Sequence, residues 1–288
     1  MNEVVKKESL ALAVKSALNS EQALVKMAEF FSGDSAKMTR FKSALIDIAS
    51  SDNLAQCSVN SVLKSAFSLA ELDLDINRNL AQAYIVQYKS DAQAVISYKG
   101  WQTLAERAGK RIKAHSVFIC DEFSRDLSEF DEKIIFVPND KERNSSDDGW
   151  YMKNLRGVLV LIKDMSDGYT KRVFVPKDKL EKIKTKSPSA KSNYSPWAQW
   201  GEEMYQAKAI KYVLSREALN FKSQAIANAI ALDNKADMAH DAPKITQIDL
   251  NAIAYEAGEG QIIDENGEVL NGEERRIYLF LTARFVEI

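Results

Sequence analysis

The sequence predicts an α+β fold, with N-terminal helices, then a central, mainly antiparallel sheet that includes a β-hairpin, then C-terminal helices. Three observations support this order. Apolar residues recur at helical spacing from 41 to 70, alternate with polar residues in short runs between 81 and 175, and return to helical spacing between 177 and 232. Helices on both sides of a group of short strands are typical of α+β proteins.

The first third of the chain is predicted to be helical. One apolar stripe, with the spacing i, i+3, i+4, i+7 and i+8, consists of Phe41, Ala44, Leu45, Ile48 and Ala49. A second stripe covers 59–70, and Ser58 before it suits the N-cap position. Two further helices are expected near 8–18 and 21–31, before Gly33.

The middle of the chain is predicted to form strands. Residues 81–88 and 93–98 are rich in aromatic and β-branched residues and flank a polar loop at 89–91, which indicates a β-hairpin. A short helix around Trp101 follows, and Gly109 suits its C-terminal end. Four more strands are expected, at 112–120, 133–137, 155–163 and 171–175, with a polar loop at 139–149.

The last part of the predicted core is helical again. A short basic helix is expected at 177–184, a Ser/Pro/Lys-rich loop at 185–196, a long helix at 197–216 and a final helix at 222–232. Beyond residue 233 the composition turns small and acidic, and Pro243 follows. We therefore divide the chain into a core, 1–240, and an acidic tail or small partner-binding module, 241–288, in which Asn266-Gly267 suggests a hairpin.

Composition excludes several classes of site. The 288 residues include two cysteines and two histidines, too few for a disulfide framework or a zinc site with the usual Cys/His spacing. The sequence contains no phosphate-binding loop of the common NTPase type and no G-x-G-x-x-G dinucleotide motif. No apolar run approaches the roughly 18–20 residues of a membrane span. We expect an intracellular protein without a cofactor, a bound metal or a membrane segment.

One weak enzymatic pattern remains. Asp121, Glu122, Asp131 and Lys133 together resemble the carboxylates and lysine of a magnesium-dependent nuclease. Nuclease motifs of this type lie on core strands beside a helix, whereas these residues lie in a polar connection. A solvated acidic face is therefore the favoured interpretation, and the nuclease is kept as an alternative.

Charge is strongly segregated along the chain. The net charge is −2, from 39 basic and 41 acidic residues, yet residues 150–222 carry 15 basic and 7 acidic groups, which is +8. Within them, residues 171–191 carry 8 basic and 2 acidic groups, which is +6, and residues 241–288 carry 4 and 10, which is −6. A basic stretch with interleaved aromatic residues suits a groove that follows a nucleic-acid backbone, and the alternative is a solvated lysine face on a scaffold protein.

The order of several short motifs resembles the RecT family of phage single-strand annealing proteins. Residues 93–100 (QAVISYKG) and 104–109 (LAERAG) are similar to the family's strand, Gly-Tyr-[Arg/Lys]-Gly and helix pattern. The segments 72–75 (LDLD), 83–86 (AYIV) and 121–123 (DEF) also match in order, as do Pro196-Trp197 and Glu203-Met204. Together these motifs cover roughly residues 35–232. Ser97 and Asp73 stand where glycine is usual in the family.

The resemblance implies a RecT-like annealing core and an activity without catalytic residues. Such a protein binds single-stranded DNA and anneals complementary strands without ATP during phage-type recombination. It is expected to form a homo-oligomer, a ring or a filament, in the cytoplasm of a bacterial host. A partner exonuclease and a single-strand-binding protein are the expected protein partners.

The expected DNA contacts are basic residues whose charges can neutralise phosphates. The candidates are Lys99, Lys171, Arg172, Lys184, Lys186, Lys191, Lys208 and Lys211. Tyr98 and Trp197 are interpreted as packing residues, with stacking on bases as the alternative. For Trp200 and Met204 core packing is expected.

Overall fold

The predicted α+β order is confirmed in the computed structural model of the chain. The structure describes residues 2–128, 133–144, 147–187, 190, 195–217 and 224–237. Its helices are α1 (Asn2–Ala17), α2 (Glu21–Phe30), α3 (Ser35–Ala49), α4 (Val59–Glu71), α5 (Tyr98–Arg107), α6 (Asp148–Asn154), α7 (Lys177–Lys186), α8 (Pro196–Gln199), α9 (Gly201–Leu214) and α10 (Gln224–Asp237). Its strands are β1 (Ala83–Tyr88), β2 (Asp91–Ile96), β3 (Lys110–Phe118), β4 (Glu122–Asp126), β5 (Lys133–Val137), β6 (Leu155–Asp164) and β7 (Thr170–Pro176).

The N-terminal helices begin at the caps that the sequence provides. Side-chain oxygens of Ser20, Asp34 and Ser58 accept hydrogen bonds from backbone N–H groups in the first turns of α2, α3 and α4. The stripe predicted for α3 faces the core, where Phe41 stacks on Phe67 of α4 with ring centroids 6.1 Å apart. The two apolar stripes therefore pack against each other, as their helical spacing predicts.

The predicted hairpin is formed by β1 and β2, paired antiparallel from Ala83 opposite Ile96 to Tyr88 opposite Asp91. Its turn has two residues rather than the predicted three, because Asp91 already pairs in the ladder. Lys89 in this turn has a φ of 55°, the conformation that tight hairpin turns require.

Helix α5 starts three residues before the predicted Trp101 because Ser97 caps it. The Ser97 hydroxyl accepts a hydrogen bond from the Gly100 N–H and donates one to the Ala81 carbonyl. Gly100 has no room for a side chain, since a Cβ atom there would lie 2.2 Å from the Gln82 carbonyl oxygen. These contacts fix the start of α5 against the chain that enters β1.

The main sheet is antiparallel with the strand order β3-β6-β7. Its inner face carries small and branched apolar residues, such as Ile112, Val158, Val160 and Val175, all at most 4% exposed. Helices α5 and α9 pack against β3, and α7 and α9 against β6. The outer face consists of the alternate residues of the same strands.

Two elements lie where the sequence predicts a polar connection. Strand β4 pairs with β5, from Glu122 opposite Val137 to Asp126 opposite Lys133. It was missed because Phe123 is its single apolar residue. Helix α6 is not predicted by the sequence either. It packs on the sheet through Tyr151, whose ring meets that of Phe118 of β3 edge-on at 5.3 Å.

The long helix predicted at 197–216 is two helices, α8 and α9, which meet at Trp200. Trp200 has φ −136° and ψ 52°, so the helical phase is broken there. The core packing expected for Trp200 is therefore wrong: the side chain is 61% exposed, whereas Met204 is buried as expected. None of the described helices is long and apolar enough to span a bilayer.

Candidate nucleic-acid interface

Helix α7 presents part of the predicted basic stretch. Leu180 is completely buried and anchors the helix, whereas Lys182 and Lys186 are exposed. Neither of these lysines has an ion pair with any residue that the structure describes. Their charges are therefore available to a phosphate.

Lys184 occupies a different setting, half-buried between aromatic rings. Its Nζ lies 5.6 Å from the ring centroid of Trp197 and 5.4 Å from that of Tyr205. The Tyr205 hydroxyl donates a hydrogen bond to Glu181, and burial together with this bond raises the pKa of Tyr205. The contacts tie α7 to α8 and α9, so Lys184 contributes to packing as well as to the basic surface.

Lys208 and Lys211 do not lie on the basic surface. They are 5% and 8% exposed, and both donate to the same carboxylate oxygen of Asp233 on α10, Lys208 at 2.7 Å. Burial by itself would raise the pKa of Asp233, but the two ammonium groups outweigh it and hold the pKa below its usual value. Their i, i+3 spacing places both side chains on the same side of α9, towards α10. Lys208 and Lys211 therefore form a structural ion cluster with Asp233 and are not the expected phosphate contacts.

The remaining basic candidates are divided between paired and unpaired side chains. Lys171 donates to Glu217 at 2.8 Å, so its charge is already matched. Lys99 at the start of α5 and Arg172 on β7 are exposed and make no ion pair within the described part of the chain. Lys191 lies outside the described residues.

Tyr98 and Trp197 both pack against the core. The half-buried Tyr98 hydroxyl accepts hydrogen bonds from the Gln102 side chain at 3.1 Å and from the Ala114 N–H at 3.3 Å. Trp197 is 4% exposed and meets Tyr205 edge-on at 5.5 Å. This geometry supports the packing interpretation of both residues.

The outer face of the main sheet carries the predicted contact Arg172 together with three cations that are not among the predicted contacts, Arg111, Lys113 and Lys163. Arg111 lies directly opposite Lys163, and Lys113 lies opposite Leu161, whose other neighbour is Arg172. The four basic residues, Arg111, Lys113, Lys163 and Arg172, are exposed and are named here the outer-face cations. For Arg111 and Lys113 the sequence carries a signal, the alternation of basic and apolar residues at 111–114, which indicates a strand with one solvated face.

The acidic cluster contains a structural carboxylate rather than a metal ligand. Asp121 is 6% exposed, and its oxygens accept hydrogen bonds from the Phe118 and Asn139 N–H groups and from Arg143. Burial would raise the pKa of Asp121, but these hydrogen bonds hold it below its usual value. The described residues contain no group of three His, Cys, Asp or Glu side chains that suits a metal ion, and Asp131 lies outside them.

Comparison with known proteins relates the chain to a protein family and to a curated relative. The profile described as "RecT family" matches residues 39–246, well over half of the chain. A curated relative from Bacillus subtilis (strain 168), "Uncharacterized protein YqaK", is 29% identical over 205 residues, which cover 71% of this chain and 67% of the relative.

Proposed function

The chain belongs to the RecT family, whose members act as annealing proteins in DNA recombination, and from this premise we propose that it binds single-stranded DNA and anneals complementary strands without nucleotide hydrolysis. The observation that carries the proposal is a surplus of exposed basic side chains without a carboxylate partner among the described residues. Lys99, Arg172, Lys182 and Lys186 are examples. A surface with uncompensated positive charge favours a polyanionic ligand.

The mechanism follows from the charge on the two DNA strands. Strands repel each other through their phosphates, and basic side chains reduce this repulsion while they release condensed counterions. Contacts to the backbone carry no sequence information and leave base edges free to test a partner strand. Base pairing then supplies the free energy of annealing, so no fuel is required.

We further propose that the chain forms a homo-oligomer, a ring or a filament, because annealing long strands requires many adjacent binding sites. Exposed apolar side chains on the N-terminal helices support self-association: Leu12 is 65% exposed and Val25 55% exposed. A partner exonuclease and a single-strand-binding protein in the cytoplasm of a bacterial host remain proposals that rest on the family. The acidic segment 241–288, with net charge −6, is the proposed docking module for such partners.

Two other functions are weighed against annealing. A scaffold protein with a solvated lysine face predicts no DNA binding even at low salt. A magnesium-dependent nuclease predicts cleavage, but Asp121 is already engaged by Arg143 and two backbone N–H groups, which argues against its holding a metal ion.

The test is an annealing assay with two complementary oligonucleotides, one carrying a fluorophore and the other a quencher. The full chain is added in the presence of EDTA and without nucleotide, and its rate is compared with that of spontaneous annealing. We expect acceleration under these conditions, with intact strands recovered afterwards. A requirement for ATP, or strand cleavage on addition of magnesium, would refute the proposal.

A further inference from the structure

The outer face of the main sheet combines high positive charge with an absence of carboxylates. The strand positions of this face are 111, 113, 115 and 117 on β3, 157, 159, 161 and 163 on β6, and 170, 172, 174 and 176 on β7. These twelve positions include the four outer-face cations and no Asp or Glu. Adjacent strands are about 4.8 Å apart and alternate residues about 6.8 Å apart, so the four charges form a compact grid.

Two other lysines of the same strands have carboxylate partners. Lys110, on the opposite parity of β3, pairs with Asp164 at 3.3 Å, and Lys171 of β7 pairs with Glu217. The outer-face cations have no such partner in the described part of the chain. Arg111 and Lys163 are direct cross-strand neighbours, an arrangement of like charges that destabilises a sheet. Stability alone does not explain this grid, whereas an anionic ligand does.

The β4–β5 hairpin closes one end of this face. Phe123 of the hairpin packs on Phe174 at a centroid distance of 4.5 Å, and Phe136 lies 6.3 Å from the His115 ring. Leu159 beneath them is 3% exposed as a result. The hairpin therefore forms a wall at one end and leaves the cationic end open to solvent.

The open end also has an apolar centre. Leu161 lies between Lys113 and Arg172 in the cross-strand register and is half-buried. An apolar side chain flanked by cations suits a nucleotide, because sugar and base can contact it while the phosphates meet the charges. A nucleic-acid backbone held by charge on an open sheet face would keep its base edges accessible.

We propose that the outer sheet face, through Arg111, Lys113, Lys163 and Arg172, is a binding platform for the phosphate backbone of single-stranded DNA. The inference rests on the proposed function and assigns its DNA contacts to a sheet face rather than to the helical residues Lys208 and Lys211. Lys99, Lys182 and Lys186 then serve as additional contacts outside the platform.

The test compares two triple variants of the full chain that remove the same charge. The platform variant is Arg111→Gln, Lys113→Gln and Lys163→Gln. The control is Lys37→Gln, Arg40→Gln and Lys64→Gln, which alters exposed residues of α3 and α4. Binding of a fluorescent oligonucleotide is measured by anisotropy across a salt series. We expect the platform variant to bind about tenfold or more weakly at low salt, with a salt slope smaller by about 2, since each single-strand phosphate contact contributes about 0.7.

A charge-preserving variant separates binding from folding. Arg111→Lys, Lys113→Arg and Lys163→Arg keeps the grid and should bind as the wild type does. The platform variant should melt no lower than the wild type, because it removes a like-charge pair. Equal affinity of the platform and control variants for the oligonucleotide would overturn the assignment of the outer sheet face as the binding platform and leave the proposed function intact. Absence of wild-type binding would overturn both.

Discussion

Arg143 donates two parallel hydrogen bonds to Asp121, from Nε to Oδ1 at 3.0 Å and from Nη2 to Oδ2 at 2.7 Å. The guanidinium also lies 5.0 Å from the ring centroid of Phe118. This pair joins the end of β3 to the loop after β5, and thereby holds the β4–β5 hairpin in place over the sheet.

Replacement of Asp121 by Asn should destabilise the fold by about 3–5 kcal/mol, because a buried carboxylate is lost while its partner Arg143 stays. Urea unfolding followed by circular dichroism measures the change. Asp140, which is 82% exposed and 3.7 Å from Arg143, is the matched control, and Asp140→Asn should cost less than about 0.5 kcal/mol. Equal effects of the two variants would show that the Asp121 pair is not structural.

Asp233→Asn should also destabilise by about 3–5 kcal/mol, since two buried ammonium groups lose their shared carboxylate. The folded pKa of Asp233 is lowered, so its contribution is complete above the unfolded pKa of about 3.9 and is lost as pH falls through the folded value. The stability gap between wild type and variant should therefore narrow in strong acid. A gap that widens below pH 4 would contradict the assignment.

His115 should make the free energy of unfolding depend on pH in a second range, at less acidic pH than the range in which Asp233 acts. Its side chain is exposed, but partial desolvation lowers its pKa, and the neighbouring charges of Lys113 and Arg143 lower it further. The unfolded chain then gains a proton first, so stability is complete above about pH 6.5 and declines as pH falls towards the folded pKa. His115→Gln should remove this step from melting temperatures recorded between pH 8 and pH 5. An identical profile for the variant would rule out His115 as its source.

Two lysines of α7 should respond differently to replacement by alanine. Lys186→Ala should weaken DNA binding with no change in melting temperature, because the side chain is exposed and unpaired among the described residues. Lys184→Ala should also lower stability, by about 0.5–2 kcal/mol, because its contacts with Trp197 and Tyr205 are lost. Anisotropy and thermal melting on both variants test the distinction, which fails if their melting temperatures match.

The elements that the sequence predicts well are those with a strong local signal. The stripes of α3 and α4, the hairpin pattern of β1–β2 and Gly109 at the end of α5 are all visible in the chain itself. Strand β4 cannot be predicted from the sequence, because its stability comes from pairing with β5 and from the contact of Phe123 with Phe174. Such contacts between distant residues leave no periodicity in the sequence.

The residues of the candidate site divide in the same way, into features that local sequence predicts and contacts between distant residues that it does not. A count of basic residues locates the positive stretch but cannot tell an exposed lysine from one that meets a distant carboxylate. Asp233 lies 22 residues beyond Lys211 and Glu217 lies 46 residues beyond Lys171, so neither pair was foreseeable from local spacing. Conversely, Arg111, Lys113 and Lys163 come together with Arg172 only through the register of three strands.

The salt dependence of single-stranded DNA binding by the full chain tests the central claim most directly. A labelled oligonucleotide without secondary structure is titrated at several salt concentrations, and the logarithm of the binding constant is plotted against the logarithm of the salt concentration. If about 4–6 phosphates are neutralised per protomer, the slope is roughly −3 to −4. A slope near zero, or no binding at the lowest salt, would contradict an annealing protein that holds DNA by its phosphates.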